Sequence, residues 1–126
     1  MYAVYIAGPF RAKNGWELTK NVRKAEDAIG DLMIIPDVLP VCPHTMFKNF
    51  DRTKNDKFWI DATLELMRRC DSVLVLEGHE HSEGTKGEIA EAKRLGIPVF
   101  YRTTEVFNWV GERLANETSD NSNSGC

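Results

Sequence analysis

The run Asp71-Ser72-Val73-Leu74-Val75-Leu76 reads as a buried strand, and its continuation restricts the fold sharply. Beyond a short polar loop the chain becomes helical to about Leu95, where Gly96 and then Pro98 stop it. The stretch Ser82-Glu83-Gly84-Thr85-Lys86-Gly87-Glu88 is therefore a turn from the carboxyl end of a strand into the amino end of a helix. In open α/β sheets ligands bind at such edges. The helix start offers free N–H groups and positive dipole character to a phosphate or carboxylate. Gly84 and Gly87 let a ligand approach the backbone closely, and Ser82 caps the turn.

The same alternation recurs on either side. Tyr2-Ala3-Val4-Tyr5-Ile6-Ala7 is apolar on both parities, as a central parallel strand would be, and Gly8-Pro9 ends it. Leu18, Val22, Ala25, Ile29 and Leu32 step by four and three, which predicts a helix over about 16–32. A second strand falls within Met33 to Cys42, near Leu39 to Cys42. A long polar loop, Thr45 to Asp56, leads into a helix from Asp56, its expected N-cap, to Cys70. Ile97 to Tyr101 is a fourth strand, and Val106 to Leu114 a short last helix. The pattern predicts a three-layer α/β domain, flavodoxin-like or Rossmann-like, with a mainly parallel sheet of four to five strands. The domain is expected to occupy residues 1–117, with 118–126 a disordered polar tail.

At 126 residues the chain suffices for one domain with one core. Its net charge of -3 offers no broad attraction to nucleic acid or to an anionic membrane, and neither is expected as a partner. Met1 runs directly into a strand without a basic leader, so no signal peptide is expected. Three cysteines and three histidines lack the spacing of a metal site, so reduced thiols, a cytoplasmic setting, no metal and no cofactor are expected.

Three loops meet at the ligand edge: Gly8 to Gly15, Pro43 to Asp56 and Leu76 to Glu88. They carry glycines, hydroxyls, a histidine, basic side chains and carboxylates. The phosphate-loop pattern, the dinucleotide fingerprint and a serine-hydrolase elbow are all absent. Glu88 sits in the first helical turn, where an exposed acid would merely offset the dipole. Ala92 and Leu95 follow it by four and seven, however, and that phase turns Glu88 toward the sheet. An inward carboxylate can act as a nucleophile toward a sugar carbon while a second carboxyl group manages protons. Asp61, taken alone, belongs to a solvated stripe with Glu65 and Arg68.

Five pieces occur in order across residues 2–101: Tyr5-Ile6-Ala7-Gly8-Pro9-Phe10, then Asp61, then Arg69 to Leu76, then Gly78-x-x-x-Ser82-x-Gly84-Thr85-x-x-Glu88, then Gly96-Ile97-Pro98-Val99. Together they resemble the nucleoside 2-deoxyribosyltransferase-like superfamily. Within it they resemble the small branch common in phages and bacteria, near the nucleoside 5′-monophosphate N-glycosidases. The resemblance implies N-glycosidic bond chemistry, with Glu88 attacking C1′, Asp61 assisting the leaving base and Tyr5 beside the nucleophile. It implies that Gly8, Pro9, Phe10 and Arg11 line the sugar or phosphate pocket together with Gly78, Ser82, Gly84 and Thr85. His44 is expected either to contact base or sugar or to be a structural loop histidine. Ser82, where the free-nucleoside transferases tend to carry an acid, favours a 5′-monophosphate substrate. The family habit of dimers or larger homo-oligomers makes Val106 to Leu114 and Trp109 the expected interface. Two other readings stand beside this one: a nucleotide sensor without turnover, favoured if no second acid accompanies Glu88, and an NAD-cleaving relative.

Overall fold

Strand β1 (Tyr2–Ala7) lies inside a four-stranded sheet of order β2-β1-β3-β4, completed by β2 (Val38–Val41), β3 (Ser72–Val75) and β4 (Val99–Phe100). Every pairing is parallel, with Tyr5 opposite Val41 on one side and Val73 on the other. This computed structural model describes residues 1–10, 14–50 and 52–124, with side chains through 118. The helices are α1 (Gly15–Met33), α2 (Pro43–Met46), α3 (Asp56–Arg68), α4 (Glu83–Leu95) and α5 (Thr103–Ser124), with a single 3-10 turn at His79–His81.

Pleating sorts the strand residues onto two faces. Val4, Ile6, Val38 and Leu74 pack with Ala25, Ala28 and Leu32 of α1 and with Val106 and Val110 of α5. Tyr5, Ala7, Val73 and Val75 pack with Met67 of α3 and with Ile89 and Ala92 of α4. Two cores on one sheet make the three-layer α/β fold expected from the sequence. The strand order is the flavodoxin-like one, so a switch point lies between β1 and β3.

The helix starts reflect local chemistry. Asn14, Asn55 and Ser82 each accept a backbone N–H three residues on, from Glu17, Phe58 and Thr85. Asn55, one residue before the expected Asp56, is thus the cap of α3. Gly96 closes α4 in the left-handed region at φ 75°, and the Ile97 N–H returns to the Ala92 carbonyl at 2.9 Å. The segment expected as a loop after Cys42 instead begins with the turn α2. It continues through stacked turns, with Phe50 N–H on Phe47 O at 2.9 Å and Thr53 N–H on Phe50 O at 3.1 Å.

Two expectations need correction. The last helix is not short: α5 spans 22 residues and carries through to Ser124, where composition suggested a disordered tail. No glycine or proline falls between 112 and 124. Once the start is docked, extension meets only the small propensity deficits of Ser, Asn and Asp. The second concerns Trp109, expected to be exposed, which packs within the chain. Trp109 is partly buried, edge-on to Tyr2 at 5.4 Å and tilted on Phe100 at 5.7 Å, with the Arg113 guanidinium 4.8 Å from its ring. The tyrosine hydroxyl of Tyr2 donates to Glu117.

Gly8 is where β1 and β3 come too close for any side chain. A Cβ there would stand 2.9 Å from Leu76 Cβ and Cδ1. Gly8→Ala is expected to destabilise the fold by about 1–3 kcal/mol, the usual cost of overpacking. Urea denaturation of Gly8→Ala, Leu76→Gly and the double variant tests this. The double variant should be clearly more stable than the summed single effects imply, and strict additivity would refute the clash.

Candidate functional site

The carboxyl ends of β1 and β3 flank the switch point, and three features converge beside it: the exit loop Gly8–Phe10, the 3-10 turn after Gly78, and the start of α4. Gly78 adopts φ 88°, a left-handed conformation that favours glycine, and a Cβ added there would lie 3.5 Å from Pro9 Cγ. His44 holds the exit loop from below. It is 4% exposed, and its Nε2 lies 3.0 Å from the Pro9 carbonyl, so Nε2 carries the proton. Burial pushes its pKa down against the pull of the Pro9 and Gly8 carbonyls. It is a neutral strut, edge-on to Phe10 at 5.5 Å, in keeping with the structural one of its two expected roles.

Glu88 points inward, as helical phase implied. It is 9% exposed, while Ala92 one turn on is fully buried; Leu95, the third of that line, is 42% exposed. The Tyr5 hydroxyl, on the α3–α4 face of β1, lies beside the Glu88 carboxylate and favours its ionised form. The carboxylate oxygen Oε2 is buried with no hydrogen-bond partner. Desolvation pushes the Glu88 pKa up to about 7, with Tyr5 opposing it. Tyr5, 1% exposed, is pushed well above its ordinary value by burial first and then by the Glu88 charge. A buried, incompletely partnered acid near neutral pKa at this sheet edge is a candidate functional position.

Asp61 does not join them. Its side chain is 60% exposed and bonds Lys57 one turn back at 2.6 Å. It stays in the solvated stripe that its spacing first indicated. The α3 residue that reaches Tyr5 is Thr63, two positions on and about 200° further around the helix. Thr63 Oγ1 also donates to the Trp59 carbonyl at 2.9 Å. Its place on the buried side of α3 was visible in the spacing of Trp59, Leu66 and Cys70, yet an uncharged residue drew no attention.

The remaining expected contacts divide. Ser82 Oγ accepts the Thr85 N–H at 3.2 Å and the Thr85 hydroxyl at 2.9 Å, which leaves its own proton for an outside acceptor. Thr85 is 1% exposed and serves the cap rather than a ligand. Gly8 is fixed by Leu76. Gly84 and Gly87 are exposed, and a Cβ on either would meet nothing within 4 Å. The fold itself does not require them. Side chains on a helix lean toward its N-terminus, so the empty space at Gly84 lies next to Glu88, one turn on. Arg11 falls outside the described residues. An open groove of about 420 Å³ on the outer side of α3, lined by Phe58, Asp61, Ala62, Leu64, Glu65 and Arg68, includes neither Tyr5 nor Glu88.

Fold and site together define a flavodoxin-like α/β domain with a desolvated carboxylate at its ligand edge. The chain belongs to the family described as Domain of unknown function (DUF7768), which matches residues 2–102, so all of α5 lies beyond it. It is similar to the crystal structure of a conserved protein from Enterococcus faecalis V583, with TM-score 0.56 and 20% identity, over 79% of this chain and 61% of that one. That likeness is one of fold, and this chain spans about three-fifths of the other. No curated protein matches. No helix among the described residues is long and apolar enough to cross a membrane.

A pKa raised from 4.5 to about 7 means that the native state favours the protonated Glu88. The associated stability is fully present below about pH 4.5 and is lost as pH rises through about 7, to the extent of roughly 3 kcal/mol. Glu88→Gln should therefore melt above wild type at pH 8, by about 5–15 °C. The gap should close toward pH 4.5. An equal difference at both pH values would contradict the buried, proton-binding carboxylate.

Proposed function

We propose that the protein cleaves the N-glycosidic bond of a nucleoside 5′-monophosphate, with Glu88 as nucleophile toward C1′. The observation that carries this reading is the buried Glu88 carboxylate, with Tyr5 beside it and Oε2 unpartnered. Its unpartnered oxygen is the reacting atom; Tyr5 orients the group. The phosphate would lie at the start of α4, where first-turn N–H groups have no intrahelical partner and the Ser82 proton is free to donate. Free thiols at Cys42 and Cys70, both buried, support a reducing, cytoplasmic setting. Glu88 must be ionised to attack, so kcat/KM should rise with pH through about 7.

One observation favours a second reading. Among the described residues no second carboxylate accompanies Glu88, and the shift of its pKa includes no contribution from another acid. A site without a proton donor also suits a nucleotide sensor that binds without turnover.

Incubation with a panel of ribo- and deoxynucleoside 5′-monophosphates tests both. Free base released by wild type, and lost at least 100-fold in Glu88→Gln, supports cleavage. Thermal stabilisation by a monophosphate without base release supports the sensor. Activity in Glu88→Gln equal to wild type removes the nucleophile assignment. Gly84→Ala provides an independent check. Alanine should stabilise α4 by about 0.5–1 kcal/mol, because helical glycine is costly and nothing obstructs the methyl group. The same methyl group should weaken substrate or ligand binding by at least 5-fold. A stabilised variant with unaltered binding would place the ligand elsewhere.

A further inference from the structure

We infer, on the basis of the cleavage reading above, that the substrate's base is already cationic: a nucleoside 5′-monophosphate whose glycosidic nitrogen is quaternary, as in a pyridinium ribotide. Two observations lead there independently.

The first is the supply of protons. A neutral base leaves as an anion unless an acid protonates it, which is the work of the second carboxyl group in glycoside cleavage. Among the described residues this site has no group suited to that work. Asp61 is exposed and tied to Lys57. Thr63, at the α3 position that meets Tyr5, carries a hydroxyl and no acid. Tyr5 already donates to Glu88, and its proton is held well above the ordinary tyrosine range. Glu91, one turn beyond Glu88, is held down to about 2 by Arg94 and then Arg68. The neutral His44 has its one ring proton on the Pro9 carbonyl. A quaternary base needs none of them.

The second is the supply of charge. A buried carboxylate normally has a cation beside it. Glu88 has Tyr5 beside it and nothing on Oε2, and among the described residues no lysine or arginine pulls on its pKa. A cationic ring brings the missing counter-charge and favours the ionised nucleophile.

The step balances without an acid. A Glu88 oxygen forms a bond to C1′ as the C1′–N bond breaks, and the electron pair of that bond returns to the ring nitrogen. The base departs neutral. Water then attacks C1′, the glutamate leaves with its bonding pair, and the water proton is released. Each turnover yields one free proton. Hydrolysis of a neutral-base nucleotide puts that proton on the base and yields none.

The experiment compares nicotinamide mononucleotide with its reduced, uncharged form and with dAMP, dGMP, dCMP and dTMP, all on the full chain. Base release is measured by chromatography and protons by an indicator in weak buffer. The cationic substrate should be cleaved with kcat/KM at least 100-fold above any neutral one, with one proton per base. Thr63→Asp, which places an acid beside Tyr5, should raise the ratio of neutral-base to cationic kcat/KM at least 10-fold. Neutral-base nucleotides cleaved as fast as the cationic one would overturn the inference and leave the cleavage reading standing. No base released from any substrate would overturn both.

Discussion

The meeting of Tyr5 with Glu88 depends on the pleat of one strand. β1 is covered on both faces, so parity alone decides which layer each of its residues enters. Val4 and Ile6 go to the α1–α5 side, Ala3, Tyr5 and Ala7 to the α3–α4 side. Tyr5 is the one polar-tipped residue that this alternation sends under α4, and its hydroxyl must find a partner there. Glu88 is that partner because α4 starts at Ser82, and Ser82 caps because the Gly78 turn delivers it there. A one-residue slip of β1 would send Tyr5 to the opposite core and leave Glu88 buried with no donor.

That dependence explains why the site is costly. Tyr5 supplies one donor, while the carboxylate can accept several, and Oε2 is left dry. An amide or an apolar side chain would suit the packing better. The core around it is otherwise conventional, with Ile89, Ala92, Met67 and Val73 closely packed. The strain is therefore local, and its energy scale, roughly 3 kcal/mol, is a large share of the 5–15 kcal/mol that typically separates native from unfolded states. Exposed glycines in the first turn of α4 have the same character, because they lower helix stability while no packing contact requires them.

Much of this was legible in the sequence, for identifiable reasons. Parallel strands buried on two faces leave long apolar runs, and β1 and β3 were evident from them. The inward turn of Glu88 came from one helical period, since Ala92 shares its face. Asp61 was legible too, as a solvated acid. Resemblance moved it into the site, and the phase of α3 puts it back in solvent. Thr63 escaped notice because its importance comes from position and not from charge. The partners of Trp109 were unreadable for another reason. Tyr2 and Phe100 lie at opposite ends of the chain, and only the return of α5 across the sheet brings them to it. The persistence of α5 to Ser124 is likewise a matter of helix extension rather than of composition.

Ser82 connects the electrostatics of the two ends of the site. Asp or Asn would cap α4 as well as serine does. An aspartate would put a full negative charge at the helix start, beside a carboxylate already short of stabilising partners, and would repel a phosphate. Serine satisfies the Thr85 N–H with a neutral oxygen, so the partial positive charge of the helix start is not neutralised by its own cap. Glu83, the next residue, has a side chain 92% exposed and lies 3.4 Å from Lys86, so its charge is directed into solvent. The start of α4 therefore keeps its partial positive charge uncompensated, while among the described residues Glu88, one and a half turns below, has no cation on Oε2, so the two ends of the site differ in sign of unmet charge.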